Sequence, residues 1–365
     1  MSADILNNLN PGIESLHPYE PGRSIDEVVA EFGHDDVVKL ASNENPLGAS
    51  PQALSIVSEL KGDLHLYPDG NGTKLKEEIA NHENVSFENI IIGNGSNEIL
   101  ELAARAFLNP DTSSIASKHA FAVYKIVTQS SGASLIEVPT CNWGHDLKSF
   151  DDYLENNTRV IFIANPNNPT GTYNSHEEVY SLLQKVPSSV LVVLDCAYFE
   201  YVTKQDYVKP IDLLNEFDNL LITKSFSKIH GLASIRVGYG IASPSLIEVL
   251  NRIRQPFNVN TLAQAMASVA INDNEHIRKS VELNSKEYEF LFNKLSELGL
   301  ECIPSVGNFI TFKGDFIGKE MFNSLMQKGI IVRSVDLYDM KDFIRVTIGT
   351  EAENLKFIKA LEELL

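Results

Sequence analysis

Short, uninterrupted apolar runs punctuate the middle of this chain. Ile90-Ile-Ile92, Arg159-Val-Ile-Phe-Ile-Ala164, Val190-Leu-Val-Val-Leu194 and Asn219-Leu-Leu-Ile-Thr223 are too short for helices and lack the polar alternation of a strand with one wet face. They predict strands covered on both sides. Residues 97–107 and 175–185 lie between such runs and read as helices, an alternation that builds a mainly parallel sheet between helical layers. Beyond about residue 244 the texture changes. Residues 277–298 read as one long charged helix, with Val281, Tyr288, Leu291, Phe292 and Leu295 at its apolar positions. Then come a strand over 308–312, a helix over 319–328, strands over 330–333 and 343–348, and a terminal helix over 351–364. The first 40 or so residues are rich in turn formers (Asn10-Pro-Gly12, His17-Pro18, Pro21-Gly22) and predict an extended arm leading to a helix over 24–32, N-capped by Ser24. The expected fold class is α/β: a large domain over 41–245 with a mainly parallel sheet in three αβα layers, a smaller α+β domain over 246–365, and an arm over 1–40 packed with the small domain.

Composition narrows the function without identifying it. A chain of 365 residues exceeds the size at which one core keeps growing, consistent with two domains. A net charge of -19 argues against nucleic acid and anionic membrane as partners. It leaves room for an anionic small molecule, because a few buried arginines dominate a local pocket. No apolar run approaches the roughly 18 residues that span a bilayer, and the start Met-Ser-Ala-Asp-Ile-Leu-Asn-Asn lacks the basic and apolar stretches of a signal peptide. Cys141, Cys196 and Cys302 form neither a paired framework nor a CxxC motif, which predicts a reducing cytoplasm. The histidines show no metal-ligand spacing, so no metal is expected.

Three polar motifs each follow an apolar strand: Asn165-Pro-Asn-Asn-Pro-Thr-Gly171, Asp195-Cys-Ala-Tyr198, and the segment Thr223-Lys-Ser-Phe-Ser-Lys-Ile-His-Gly-Leu-Ala-Ser-Ile-Arg236. Ligands of open α/β sheets bind at the carboxyl ends of strands, where these loops converge. In the third motif an amine (Lys228), two hydroxyls (Ser225, Ser227) and a guanidinium (Arg236) suit a phosphate-bearing aldehyde such as pyridoxal phosphate (PLP). Asp195 ends a run of five aliphatic residues. It reads either as a turn or N-cap residue or as the partner of a pyridine nitrogen. Tyr198 reads as packing or as a donor to a ring oxygen. In the asparagine loop two prolines fix φ, Gly171 permits an unusual turn, and the amides can donate to an oxygen.

Gly93-Asn-Gly-Ser-Asn97 opens a helix whose free amides suit phosphate, but it is not the GxGxxG of a dinucleotide site, which disfavours a nicotinamide dehydrogenase. Phe121 is either core or a stacking partner for a ring. Arg345 interrupts an apolar strand and Arg333 follows another. A buried arginine must be paired, so they meet either an internal carboxylate or an anionic substrate.

Together these residues resemble the fold-type I, aspartate aminotransferase-like PLP enzymes over nearly the whole chain. Within them the chain is most similar to the histidinol-phosphate aminotransferase family, through His17-Pro-Tyr-Glu-Pro-Gly22, Leu40-Ala-Ser-Asn-Glu-Asn-Pro46, Tyr67-Pro-Asp-Gly70 and Arg345-Val-Thr-Ile-Gly-Thr350. The resemblance implies that Lys228 holds PLP as a Schiff base and shuttles a proton, and that Asp195 keeps the ring nitrogen protonated. It implies that Asn168 and Tyr198 contact the ring oxygen, and that Phe121, where many relatives carry tyrosine, stacks on the ring. Ser225, Ser227, Arg236, Gly95 and Ser96 would grip the phosphate, with Tyr67 reaching it from the neighbouring subunit of a homodimer. Tyr19, Asn43, Arg333 and Arg345 would bind substrate. The implied reaction is amino transfer between L-histidinol phosphate and 2-oxoglutarate in L-histidine biosynthesis. Its alternatives on the same fold are an aromatic amino-acid aminotransferase and a threonine-phosphate decarboxylase. A PLP-sensing regulator would need a DNA-binding segment that this acidic chain does not supply.

Overall fold

Alternate residues of the central strands enter two different apolar cores. Along Thr158–Ala164, Ile161 and Ile163 join one core, while Val160, Phe162 and Ala164 join the other. Leu191–Asp195 divides the same way, Val192 and Leu194 against Leu191 and Val193. Side chains alternate across a strand, so a strand with both faces buried must be apolar at every position, as these runs are. The computed structural model describes residues 8–365 except 17, 19–21, 35 and 61–64.

The large sheet runs in the order Ile90–Gly93, Gly238–Ala242, Leu220–Ser225, Leu191–Asp195, Thr158–Ala164, Ser113–Ser117, Ser134–Val138. Gly238–Ala242 is antiparallel to both its neighbours, and the pairs from Leu220–Ser225 onward are parallel. Helices Pro51–Glu59, Thr73–Glu83, His176–Lys185 and Thr261–Ala270 cover one face through residues such as Ala53, Ile79, Leu182 and Met266. Helices Ser96–Phe107, Val123–Ser130 and Pro244–Ile253 cover the other through Ile99, Val127 and Leu250. The boundary expected at 245–246 falls inside this packing unit, whose cores run on to Ile271. An apolar helix face announces that it covers a sheet, not which sheet.

The smaller unit packs Asn274–Glu297, Gly318–Gln327 and Glu351–Glu362 on an antiparallel sheet of order Glu301–Ile303, Phe309–Lys313, Phe343–Thr347, Arg333–Ser334. The single strand expected over 330–333 is divided. Ile330–Ile331 pairs in parallel with Val38–Lys39, and Arg333–Ser334 turns to pair with Phe343–Thr347. The segment after the N-terminal arm is thereby stitched to the small unit, with Val38 and Leu40 in its core. Helix starts follow local chemistry: Ser24 with Glu27, Ser175 with Glu178 and Thr350 with Glu353 form capping boxes. The long helix begins at Asn274, ahead of the expected 277, because the Asp273 side chain caps the His276 amide.

One buried ion pair braces the large sheet. Lys224, on the strand that leads to Lys228, lies 2.7 Å from Glu83 at the end of Thr73–Glu83, and the Tyr239 hydroxyl donates to the same carboxylate at 2.6 Å. Both charged side chains are buried, so removing one strands the other. Lys224→Ala is expected to lower unfolding free energy by about 3 kcal/mol in a denaturant titration. Arg278→Ala, which breaks an exposed i,i+4 pair with Glu282, should cost no more than about 0.5 kcal/mol. Equal losses in the two variants would refute the bracing role.

Candidate active site

The three polar motifs meet because their strands are neighbours in register. Ala164 lies beside Asp195, and Asp195 beside Thr223, at the carboxyl ends of adjacent parallel strands. Above them a pocket of about 270 Å³ is lined by Asn168, Asp195, Tyr198, Ser225, Ser227, Lys228 and Arg236 from the large unit, and by Arg333, Tyr338 and Arg345 from the small one.

Asp195 is only 5% exposed. Tyr124 donates to its Oδ2 at 3.0 Å and Thr223 Oγ1 donates to its Oδ1 at 3.0 Å. Burial raises its pKa, and the bonds from Tyr124, Thr223 and the Ala197 amide, with the nearby Lys228, pull it back. Such a carboxylate is oriented but incompletely compensated, and so prepared for a cationic partner. The bond from the Ala197 amide, two residues on, is a turn contact, while those from Tyr124 and Thr223 tie the same carboxylate to the sheet around the pocket. Tyr124 and Thr223 went unassigned in the sequence. Tyr124 is fully buried and stacks on Phe162 with ring centroids 4.9 Å apart, so by residue type alone it reads as core.

The Lys228 amine donates to the Ser42 carbonyl at 2.9 Å. Burial pushes its pKa down to about 7; Arg345 and Arg236 add to the depression, and Glu44 and Asp195 oppose it. A nucleophilic or proton-carrying amine requires this neutral form near pH 7. Lys224 does not line the pocket, being committed to Glu83.

Around Arg236 the backbone forms a cradle. Its guanidinium donates to Ser227 Oγ at 3.3 Å and to the Ala233 carbonyl at 3.0 Å. Gly95 sits at φ 80°, where an added Cβ would lie 2.4 Å from the Arg236 guanidinium. Only glycine lets the chain pass there, delivering Ser96 at the first turn of Ser96–Phe107. Hydroxyls, a guanidinium and helix-start amides are the donor set of a phosphate site. With a buried acid and a neutral amine in the same pocket, the residues fit PLP in kind and number.

In the asparagine loop both Asn-Pro bonds are cis. Gly171, at φ 79°, packs so tightly on Ser305 that a Cβ would fall 2.1 Å from its hydroxyl. The small unit docks here: the Val306 amide donates to the Gly171 carbonyl at 2.9 Å and Thr311 donates to Pro169. Arg345 donates to Asn168 Oδ1 and, at 2.8 Å, to the Ala41 carbonyl, and it is in register with Arg333 on the next strand. Phe121 lines the pocket, set edge-on to Tyr124.

Three further expectations concern Asn43, Tyr67 and Tyr19. Asn43 lines the pocket, but its amide is engaged with the Tyr198 hydroxyl at 2.8 Å rather than left free for substrate. Tyr67 is 82% exposed, stacks on Phe257 with centroids 4.7 Å apart, and lies outside its own chain's pocket. Tyr19 lies outside the described residues. Among the described lining residues, Arg236, Arg333 and Arg345 outnumber Glu44 and Asp195 even with Lys228 neutral, so the pocket is cationic in a chain of net charge -19.

Comparison with known proteins agrees with this geometry. Residues 35–361 match the family of class I and II aminotransferases. The chain is 48% identical to histidinol-phosphate aminotransferase 2 of Pseudomonas fluorescens over 367 residues, covering 100% of this chain and 99% of the relative. It is also 48% identical to the histidinol-phosphate aminotransferase of Caldicellulosiruptor saccharolyticus over 353 residues, covering 97% and 99%. The crystal structure of histidinol-phosphate aminotransferase from Sinorhizobium meliloti in complex with pyridoxal-5'-phosphate superposes with a TM-score of 0.90 at 25% identity, covering 100% of both chains. With its two-sided parallel sheet, cationic pocket and buried lysine, this chain belongs to the class I and II aminotransferases and, within them, to the histidinol-phosphate aminotransferase family.

Proposed function

We propose that this chain transfers an amino group between L-histidinol phosphate and 2-oxoglutarate with PLP as cofactor, in L-histidine biosynthesis. The observation that carries the reading is the cationic pocket with two separate sources of positive charge: Arg236 beside Ser225 and Ser227, and Arg333 with Arg345 on the small sheet. One serves the cofactor phosphate and the other the substrate anion. PLP supplies an aldehyde that condenses with amines and a protonated ring that accepts electrons from the adjacent carbon.

In this reading Lys228 holds the cofactor, then takes the proton from the amine-bearing carbon of the substrate and later returns one. Asp195 faces the ring nitrogen and keeps it protonated, and Phe121 packs on the ring. Tyr198 and Asn168 meet the ring oxygen. Ser225, Ser227, Arg236 and the Gly95–Ser96 amides hold the phosphate. Arg333 and Arg345 take the phosphate of histidinol phosphate in one half-reaction and a glutamate carboxylate in the other, which explains a pair of guanidiniums where one carboxylate needs only one.

Exposed Leu54, Val57, Leu66, Tyr67 and Phe257 support a homodimer, with Tyr67 serving the partner's site. Among the described residues no helix is long and apolar enough to cross a membrane. The free thiols of Cys141, Cys196 and Cys302 support a reducing, cytoplasmic setting.

Three outcomes are expected. Borohydride should trap PLP on the Lys228 peptide, and capture of PLP by the cofactor-free chain should rise with pH around a midpoint near 7. The amine reacts once neutral, so a midpoint above 9 would contradict a buried, depressed lysine. Arg345→Ala should lower kcat/KM for histidinol phosphate by about 100-fold or more while the bound-cofactor absorbance persists. Release of CO2 without a keto product, or phenylalanine or tyrosine turned over faster than histidinol phosphate, would point to another member of the fold. Finally, mixing Lys228→Ala chains with Tyr67→Ala chains should restore about a quarter of wild-type activity, because half the dimers then carry one intact composite site. Activity no higher than that of Tyr67→Ala alone would mean that Tyr67 does not act across an interface.

A further inference from the structure

Asn43 is the most constrained residue in the pocket wall. Its backbone sits at φ 54°, a left-handed conformation that asparagine and glycine tolerate better than other residues. It is 1% exposed, and every polar group it has is engaged. Its amide N–H donates to Thr347 Oγ1 at 2.9 Å, and its carbonyl accepts from Asn308 at 3.0 Å. Its Oδ1 accepts from Thr347 Oγ1 at 3.3 Å, and its Nδ2 donates to the Tyr198 hydroxyl at 2.8 Å.

The direction of these bonds follows from how the amide is seated. Thr347 Oγ1 accepts the Asn43 backbone N–H and donates its own proton to Oδ1. The side-chain amide thus presents Nδ2 to Tyr198. An amide nitrogen carries only hydrogens, so Tyr198 cannot donate to it. The Tyr198 oxygen is then an acceptor toward Asn43, and its one proton points elsewhere, on the side where Tyr198 lines the pocket. Thr347 stands two residues from Arg345 on the same strand, hence on the same face.

We propose that Asn43 is a positioning residue that fixes the Tyr198 hydroxyl as a donor into the pocket, and that Thr347 ties this setting to the strand carrying Arg345. The proposal rests on the reading that PLP occupies the pocket and that its ring oxygen is the acceptor Tyr198 meets. A fixed donor stabilises the ionised ring oxygen, and so lowers the pH at which the bound chromophore gains its proton.

The test is a pH titration of the visible absorbance of the PLP-loaded enzyme in four forms: wild type, Asn43→Gly, Tyr198→Phe, and the double variant. Glycine keeps the left-handed backbone and removes only the side chain. Asn43→Gly should raise the titration midpoint by about 0.5 to 1 pH unit, the effect of one weakened neutral hydrogen bond. In the Tyr198→Phe background the same substitution should move it by less than about 0.2 unit, because the group through which Asn43 acts is gone. An equal shift in both backgrounds would mean general loosening and overturn the proposal, as would no shift in either. Failure of the wild type to take up PLP would sink the cofactor reading and this inference together; a normal wild-type chromophore with no coupling sinks the inference alone.

Discussion

Four consecutive carbonyls, from Leu40 to Asn43, hold the pocket together. They accept in turn from the Thr347 amide, the Arg345 guanidinium, the Lys228 amine and the Asn308 side chain. Three of these donors belong to the small unit and one to the large. A buried carbonyl left without a donor costs free energy on the order of a lost hydrogen bond, so leaving the small unit would strand three such groups at once, and leaving the large unit would strand the Ser42 carbonyl. Lys228 and Arg345 therefore do not float relative to each other. Both are measured off the same few residues of backbone, and Val38–Lys39 fixes where that backbone begins by pairing with Ile330–Ile331.

Burial acts in opposite senses on the two charged groups at the pocket floor. It disfavours the charged form of each, lowering the Lys228 pKa and raising that of Asp195. The surroundings then treat them differently. Asp195 receives hydrogen bonds from Tyr124, Thr223 and the Ala197 amide, which oppose the rise that burial imposes. Lys228 meets Arg345 and Arg236, which add to the depression, as well as Glu44 and Asp195, which oppose it. One fold thus keeps a carboxylate able to face a cation and an amine able to react in the same pocket. Net charge describes the solvated surface, and the pocket is governed by the few groups within contact range.

Much of this was legible in the sequence, for identifiable reasons. Continuous apolar runs had to be two-sided strands, and the residues just past their ends had to be at the ligand edge, so Asp195, Asn168 and Lys228 could be grouped before any coordinates. The partners of those residues could not. Tyr124 reaches Asp195 from 71 positions away and Thr223 from 28, and no local spacing encodes which buried tyrosine bonds to which acid. Asn43 was legible as a pocket residue through its motif, but its engagement with Tyr198 depends on a left-handed turn and on Thr347, both invisible to periodicity. The stretch that holds helices Pro244–Ile253 and Thr261–Ala270 follows the change of texture near residue 244, yet it packs on the large sheet, because a change of texture does not say which sheet a segment covers.

The strand Phe343–Thr347 brings these constraints into a single element. Its inner positions alternate with core positions: Arg345 and Thr347 face the pocket wall, while Ile344 and Val346 are locked into the small-unit core. A rigid strand moves as a body, so a displacement that draws Arg345 toward a bound anion carries Thr347 with it. Thr347 is bonded to Asn43, and Asn43 to Tyr198, while Arg345 is itself bonded to Asn168. The strand that carries Arg345 is therefore linked to both groups proposed to meet the cofactor's ring oxygen, through one covalent strand and three hydrogen bonds. The arginine proposed to grip substrate and the residues proposed to meet the ring oxygen are thus seated by one element, through hydrogen bonds that run from Thr347 to Asn43 to Tyr198 and from Arg345 to Asn168.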